Sequence, residues 1–153
     1  MKRIRFSLTE ILLTVIILGI VASITLPQCS VASEQSKISS LIRDLQQVRW
    51  QIQLYKNEHH GKLPTANGLS FSQALTKYTY ADGSIAKEQK PGKGVFGPYL
   101  DSIPENPFVA EKPAASQIKC GTQTPEADGS SGWFFNTLTG AFNANDSSSH
   151  SAL

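Results

Sequence analysis

An unbroken apolar run near the start of the chain constrains its fold more than any other feature. From Phe6 to Leu26 the sequence reads FSLTEILLTVIILGIVASITL, 21 residues whose only charge is Glu10. At ~1.5 Å rise per residue, a helix of that length reaches roughly the ~30 Å of a bilayer core. Lys2, Arg3 and Arg5 stand ahead of it. Basic flanks stay on the cytoplasmic side, so the pattern predicts a basic leader over 1–5, a transmembrane segment over 6–27, and everything later on the far side. A cleaved secretory signal has an apolar stretch of about 7–15 residues; this run is longer and carries an acid. Leu26-Pro27-Gln28-Cys29 suggests a lipoprotein signal, but Pro and Gln are poor residues between the Leu and the Cys.

The leader also explains the charge balance. The 153 residues hold 14 Lys and Arg against 12 Asp and Glu, a formal net charge of +2. Without the three leader residues the balance becomes −1, so the body has no basic footprint for nucleic acid. No nucleic-acid partner is expected. The length and the 40% hydrophobic content suit one modest globular domain beside the apolar segment.

A carboxylate in an apolar span costs on the order of 2–3.5 kcal/mol at mid-bilayer and less toward the interface. Glu10 lies about one turn from the cytoplasmic end, where a side chain can snorkel to headgroup water. The residues around it give a more specific reading. Phe6-Ser7-Leu8-Thr9-Glu10, the apolar helix with Gly19, and Leu26-Pro27 together resemble the N-terminus of type IV pilins and type II secretion pseudopilins, including the prepilin methylation motif. The resemblance implies leader processing by a prepilin peptidase between Arg5 and Phe6 and a bend in the helix at Pro27. It also implies assembly through Phe6 and Glu10, with the Glu10 carboxylate facing the Phe6 amine of a neighbouring subunit. The family's leader normally ends in Gly, and here the residue is Arg5. Either the leader stays and that amine never forms, or a variant peptidase accepts Arg5.

Beyond Pro27, Ile38, Leu41, Leu45, Val48, Ile52 and Tyr55 recur at spacings of three and four. This predicts an amphipathic continuation of the helix over 28–60, ended by Gly61 and Pro64. The stripe lasts about five turns, under three heptads, which favours packing on the chain's own C-terminal domain over an extended coiled coil. Glu58-His59-His60 invites a metal reading, but adjacent helix positions do not share a face. Both histidines are expected at the surface, near the helix C-terminus. No nucleophile elbow, Walker loop or dinucleotide fingerprint occurs, so neither an enzyme nor a cofactor is expected.

Residues 61–146 read as a small globular α+β domain. Ser70-Phe71-Ser72-Gln73 fits a capping box opening a short helix with Phe71, Leu75 and Tyr78 inward. Asp82 to Gly94 reads as a basic loop. Tyr99, Leu100, Ile103 and Phe108 lie in a Pro-rich connection and can cover the helix stripe. Gly132–Asn136 and Ala141–Ala144 flank Thr137-Leu138-Thr139-Gly140 as a β-hairpin, with Gln117–Cys120 as a third strand. The expected fold is therefore pilin-like α+β, a long helix packed against a small antiparallel sheet, with 147–153 as a frayed tail. Resemblance to the major pseudopilins raises a calcium site in the C-terminal loop. Asp128-Gly129 and Asn143-Ala144-Asn145-Asp146 lack the dense carboxylates it wants, so no metal is expected. Cys29 belongs at the membrane surface and Cys120 in the domain, leaving two free thiols or an intermolecular link as comparable readings.

These features predict a pilin-like structural subunit, most consistent with a pseudopilin of a type II secretion or related filament system. Its partners would be other pilin-like subunits, the bacterial inner membrane and a prepilin peptidase. Its C-terminal domain would be periplasmic. The alternative is a membrane-anchored periplasmic binding or scaffold domain that does not polymerise.

Overall fold

A computed structural model describes residues 7–88 and 94–153, with side chains described for all of these except 23–32. The architecture is α+β. The chain divides into two units, Met1–Ile38 and Ser39–Leu153. Helix α1 spans Leu8–Glu58 and passes through Pro27 as helix. In the first unit its large apolar side chains, Leu8 to Val21, are exposed. Among the described residues no helix is long and apolar enough to cross a membrane. Phe6 and the side chains of residues 23–27, which complete the expected span, lie outside those described, as do Arg5, Cys29 and the expected bend at Pro27.

In the second unit, Leu41, Leu45, Val48, Ile52 and Tyr55 of α1 are all buried, whereas Ile38, the last residue of the first unit, is exposed. The helix terminates where His60 and Gly61 take positive φ, 55° and 82°, and the Gly61 amide donates to the Lys56 carbonyl at 2.8 Å. This left-handed turn satisfies a carbonyl that the helix itself leaves unpaired. Helix α2, Phe71–Thr76, begins with a complete capping box: Ser70 Oγ accepts from the Gln73 amide and Gln73 Oε1 accepts from the Ser70 amide. It buries Phe71, Ala74 and Leu75. Tyr78 follows the helix and is half-buried.

Strands β1 (Thr79–Tyr80) and β2 (Val95–Phe96) form a short antiparallel pair across the expected loop. Helix α3, Lys112–Ala115, precedes the main sheet, whose order is β3 (Ile118–Gly121), β4 (Trp133–Asn136), β5 (Phe142–Ala144). The β4–β5 hairpin is antiparallel, with Phe135 opposite Phe142 and Gly140 at φ 77° in the connection. β3 corrects the expectation of an all-antiparallel sheet: it pairs parallel to β4, Ile118 opposite Trp133. The reason is the connection 122–132, long enough to return the chain to the starting edge. Trp133, Phe135 and Phe142 join Phe71, Leu75, Tyr99 and Leu100 over the α1 stripe as one core.

The segment 147–153 also differs from expectation. Ser148–Ser151 form helix α4, with Ser147 Oγ accepting from the His150 amide. Arg49 Nη1 donates to the Leu153 carbonyl at 3.0 Å, and Asn143 Nδ2 to the Ser151 carbonyl at 2.8 Å. The Ser-rich composition signals disorder, but serine also caps helices, and distant polar groups hold this one.

Candidate functional site

The start of α1 is the segment to which the sequence assigns assembly. The amide of Ser7 donates to Glu10 Oε2 at 3.4 Å, and the Ser7 carbonyl accepts from the amides of Glu10 and Ile11. Ser7 Oγ lies 2.8 Å from Thr9 Oγ1. Glu10 thus makes one half of a capping box at a helix N-terminus, where a carboxylate also meets the positive end of the helix dipole. Ser7-Leu8-Thr9-Glu10 has the same spacing as Ser70–Gln73, so this capping role was readable in the sequence and was overshadowed by the membrane context. Glu10 is exposed, and around it Leu8, Ile11, Leu12 and Leu13 present apolar surface to the surroundings. Phe6, its expected partner in assembly, and Arg5 are outside the described residues.

The second unit holds polar groups that sequence reasoning missed. His59, expected at the surface, is fully buried and stacks on Tyr55 with ring centroids 3.7 Å apart. Its Nδ1 lies 2.9 Å from the Tyr55 carbonyl and its Nε2 2.9 Å from Thr79 Oγ1. A carbonyl only accepts, so Nδ1 carries the proton and Nε2 accepts from the Thr79 hydroxyl. The correction has a simple cause: His59 follows Ile52 and Tyr55 at helical spacing and continues their buried stripe. Burial lowers its pKa from the ordinary 6.5. Beside it Tyr99 donates to Glu58 Oε2 at 2.5 Å, and burial, with that carboxylate second, pushes the phenol pKa up.

At the other end of the sheet, Asn106 Nδ2 donates to the Gly132 carbonyl at 2.9 Å and to Asp146 Oδ1 at 2.8 Å, while its Oδ1 accepts from the Phe108 amide. Asp146 Oδ2 lies 2.5 Å from His150 Nδ1. Asn145 Nδ2 donates to Asp128 Oδ1 and Ser131 Oγ. Asp128 accepts from the Ser130 hydroxyl and amide, which hold its carboxyl down at about 2. These acidic and amide oxygens face protein donors. Among the described residues no three His, Cys, Asp or Glu side chains converge as a metal site. Cys120 is a free thiol on an exposed residue, and partial desolvation of the thiol raises its pKa.

Comparison with known proteins bears on the whole arrangement. No protein-family model matches the chain, and no solved structure gives a significant match. Over 103 residues it is 28% identical to the type II secretion system core protein G of Pseudomonas aeruginosa, covering 67% of this chain and 66% of that relative. The chain thus spans about two thirds of the length of the curated relative it matches. With the long N-terminal helix, the small sheets and the N-terminal motif already described, the match makes this chain a distant homologue of the type II secretion system core protein G.

Proposed function

We propose that the chain is a structural, non-enzymatic subunit of a type II secretion or related filament system, assembling through its apolar N-terminal helix. The reading rests on one observation above the others: the described start of α1 exposes Leu8 to Val21, interrupted by a single acid at Glu10. Apolar surface of this extent needs lipid or other helices to cover it. The subunit is then held in the inner membrane with its N-terminus cytoplasmic and its globular domain periplasmic, and other pilin-like subunits are its partners. Glu10 meets the Phe6 amine of a neighbour, after a prepilin peptidase has cut behind Arg5.

A second reading has its own observation. Glu10 already receives the Ser7 amide of its own chain, a role that needs no neighbour and suits an anchored domain that never polymerises. Glu10→Gln separates the two, because glutamine retains the capping acceptor and removes the charge. Assembly predicts that E10Q and E10A both abolish secretion or filament formation at unchanged protein level. The anchored reading predicts that E10Q is silent. Mass spectrometry of the processed protein adds an independent check, since an N-terminus at Met1 would overturn assembly through the Phe6 amine.

A further inference from the structure

Trp50 lies on the solvent side of α1, 72% exposed, while the chain's other tryptophan, Trp133, is fully buried. It borders an open groove of about 560 Å³ between α1 and the β4–β5 connection, with Gln46, Arg49 and Gln53 on the helix side and Thr139 to Asn143 opposite. The volume lies within the range of small-ligand clefts, roughly 300–1,000 Å³.

The chemistry of the lining narrows what fits. Among the described residues the groove has no carboxylate, and its cation, Arg49, turns Nε to the Phe142 carbonyl at 2.9 Å and Nη1 to the Leu153 carbonyl at 3.0 Å. A cationic ligand finds no counter-charge, and the guanidinium has Nε and Nη1 turned to backbone carbonyls. The other polar side chains of the lining are neutral. The Trp50 indole N–H and the carboxamides of Gln46 and Gln53 have no hydrogen-bond partner among the described residues. Thr139 Oγ1 accepts from the Ala141 amide, leaving its hydroxyl proton free, and Asn143 commits Nδ2 to Ser151, leaving Oδ1. An exposed aromatic face ringed by free amide and hydroxyl groups matches a ligand with flat C–H faces and many neutral hydroxyls. An apolar partner helix would instead leave both carboxamides buried and unpaired.

We propose that the Trp50 groove binds a neutral saccharide chain, a pyranose ring stacking on the indole while its hydroxyls bond Gln46, Gln53 and Thr139. The test uses the full chain in a sugar-free zwitterionic detergent, titrated with a hexamer of N-acetylglucosamine and with cellohexaose, reading tryptophan emission. Trp133 is buried and acts as the silent reference. The expected result is a saturable change with at least one oligosaccharide, at a Kd on the order of 0.1–10 mM for a shallow site. Trp50→Ala should weaken binding tenfold or more by calorimetry, and Gln53→Ala severalfold, with unchanged circular dichroism. Absence of a saturable change with both oligosaccharides overturns the proposal, as does binding that survives Trp50→Ala. A Trp50 signal that follows protein concentration rather than sugar also overturns it, and assigns the groove to a second copy of the chain.

Discussion

At the residue scale, His59 and Gly132 show how little freedom single positions have. The buried imidazole of His59 makes both of its hydrogen bonds in the neutral form, and burial lowers its pKa from 6.5. Below that pH the unfolded chain takes up the proton before the native one, so stability falls as pH drops through about 6.5 and on toward the lowered native value. Thermal melts from pH 7.5 to 4.5 should show this slope, and His59→Gln should flatten it while lowering stability at neutral pH. Gly132 is constrained by space. A Cβ there would lie 1.9 Å from the Ala115 carbonyl oxygen, and the Gly132 amide donates to the Ala114 carbonyl at 2.7 Å. Gly132→Ala must push α3 off β4, at a cost of roughly 2–3 kcal/mol by chemical denaturation.

Elements owe their positions to caps and stripes of unequal visibility in sequence. The Ser70 capping box was legible because both of its partners sit at fixed spacing. Ser70→Ala should cost about 1 kcal/mol and raise amide exchange in Phe71–Thr76. The stripe Leu41–Tyr55 was legible by its period, and Leu45→Ala should cost roughly 2–5 kcal/mol. The burial of Trp133, Phe135 and Phe142 followed from the hairpin pattern. Less was readable where long-range geometry decides. The parallel pairing of β3 depends on how the segment 122–132 travels, β1 and β2 are two residues each, and α4 is fixed by Arg49 and Asn143, more distant than any local propensity reports. In the candidate assembly segment the acid stands out by its cost in an apolar run. Its bond to the Ser7 amide went unread, although the spacing carried the signal. His59 was misplaced because two adjacent histidines look polar, whereas its position in the helical period puts it inside.

For the whole molecule, the second unit closes over contacts very far apart in sequence. Arg49 on α1 reaches the Phe142 carbonyl, 93 positions later, and the α1 stripe shares its core with Trp133, Phe135 and Phe142. During synthesis the helix therefore emerges long before the hairpin that covers it. Until β4 and β5 leave the ribosome, Leu41, Leu45, Val48 and Ile52 lack Trp133, Phe135 and Phe142, the hairpin's share of their aromatic cover. A chain ended after Ser131 should be digested rapidly by protease and should bind a hydrophobic dye, while the full chain resists both; equal resistance would show that the hairpin is dispensable to closure. The nascent chain thus passes through an interval in which two apolar surfaces of one helix are uncovered together. Only the stripe on the C-terminal half can be covered by the chain's own hairpin, so the timing of translation sets how long both apolar surfaces stay open to unwanted association.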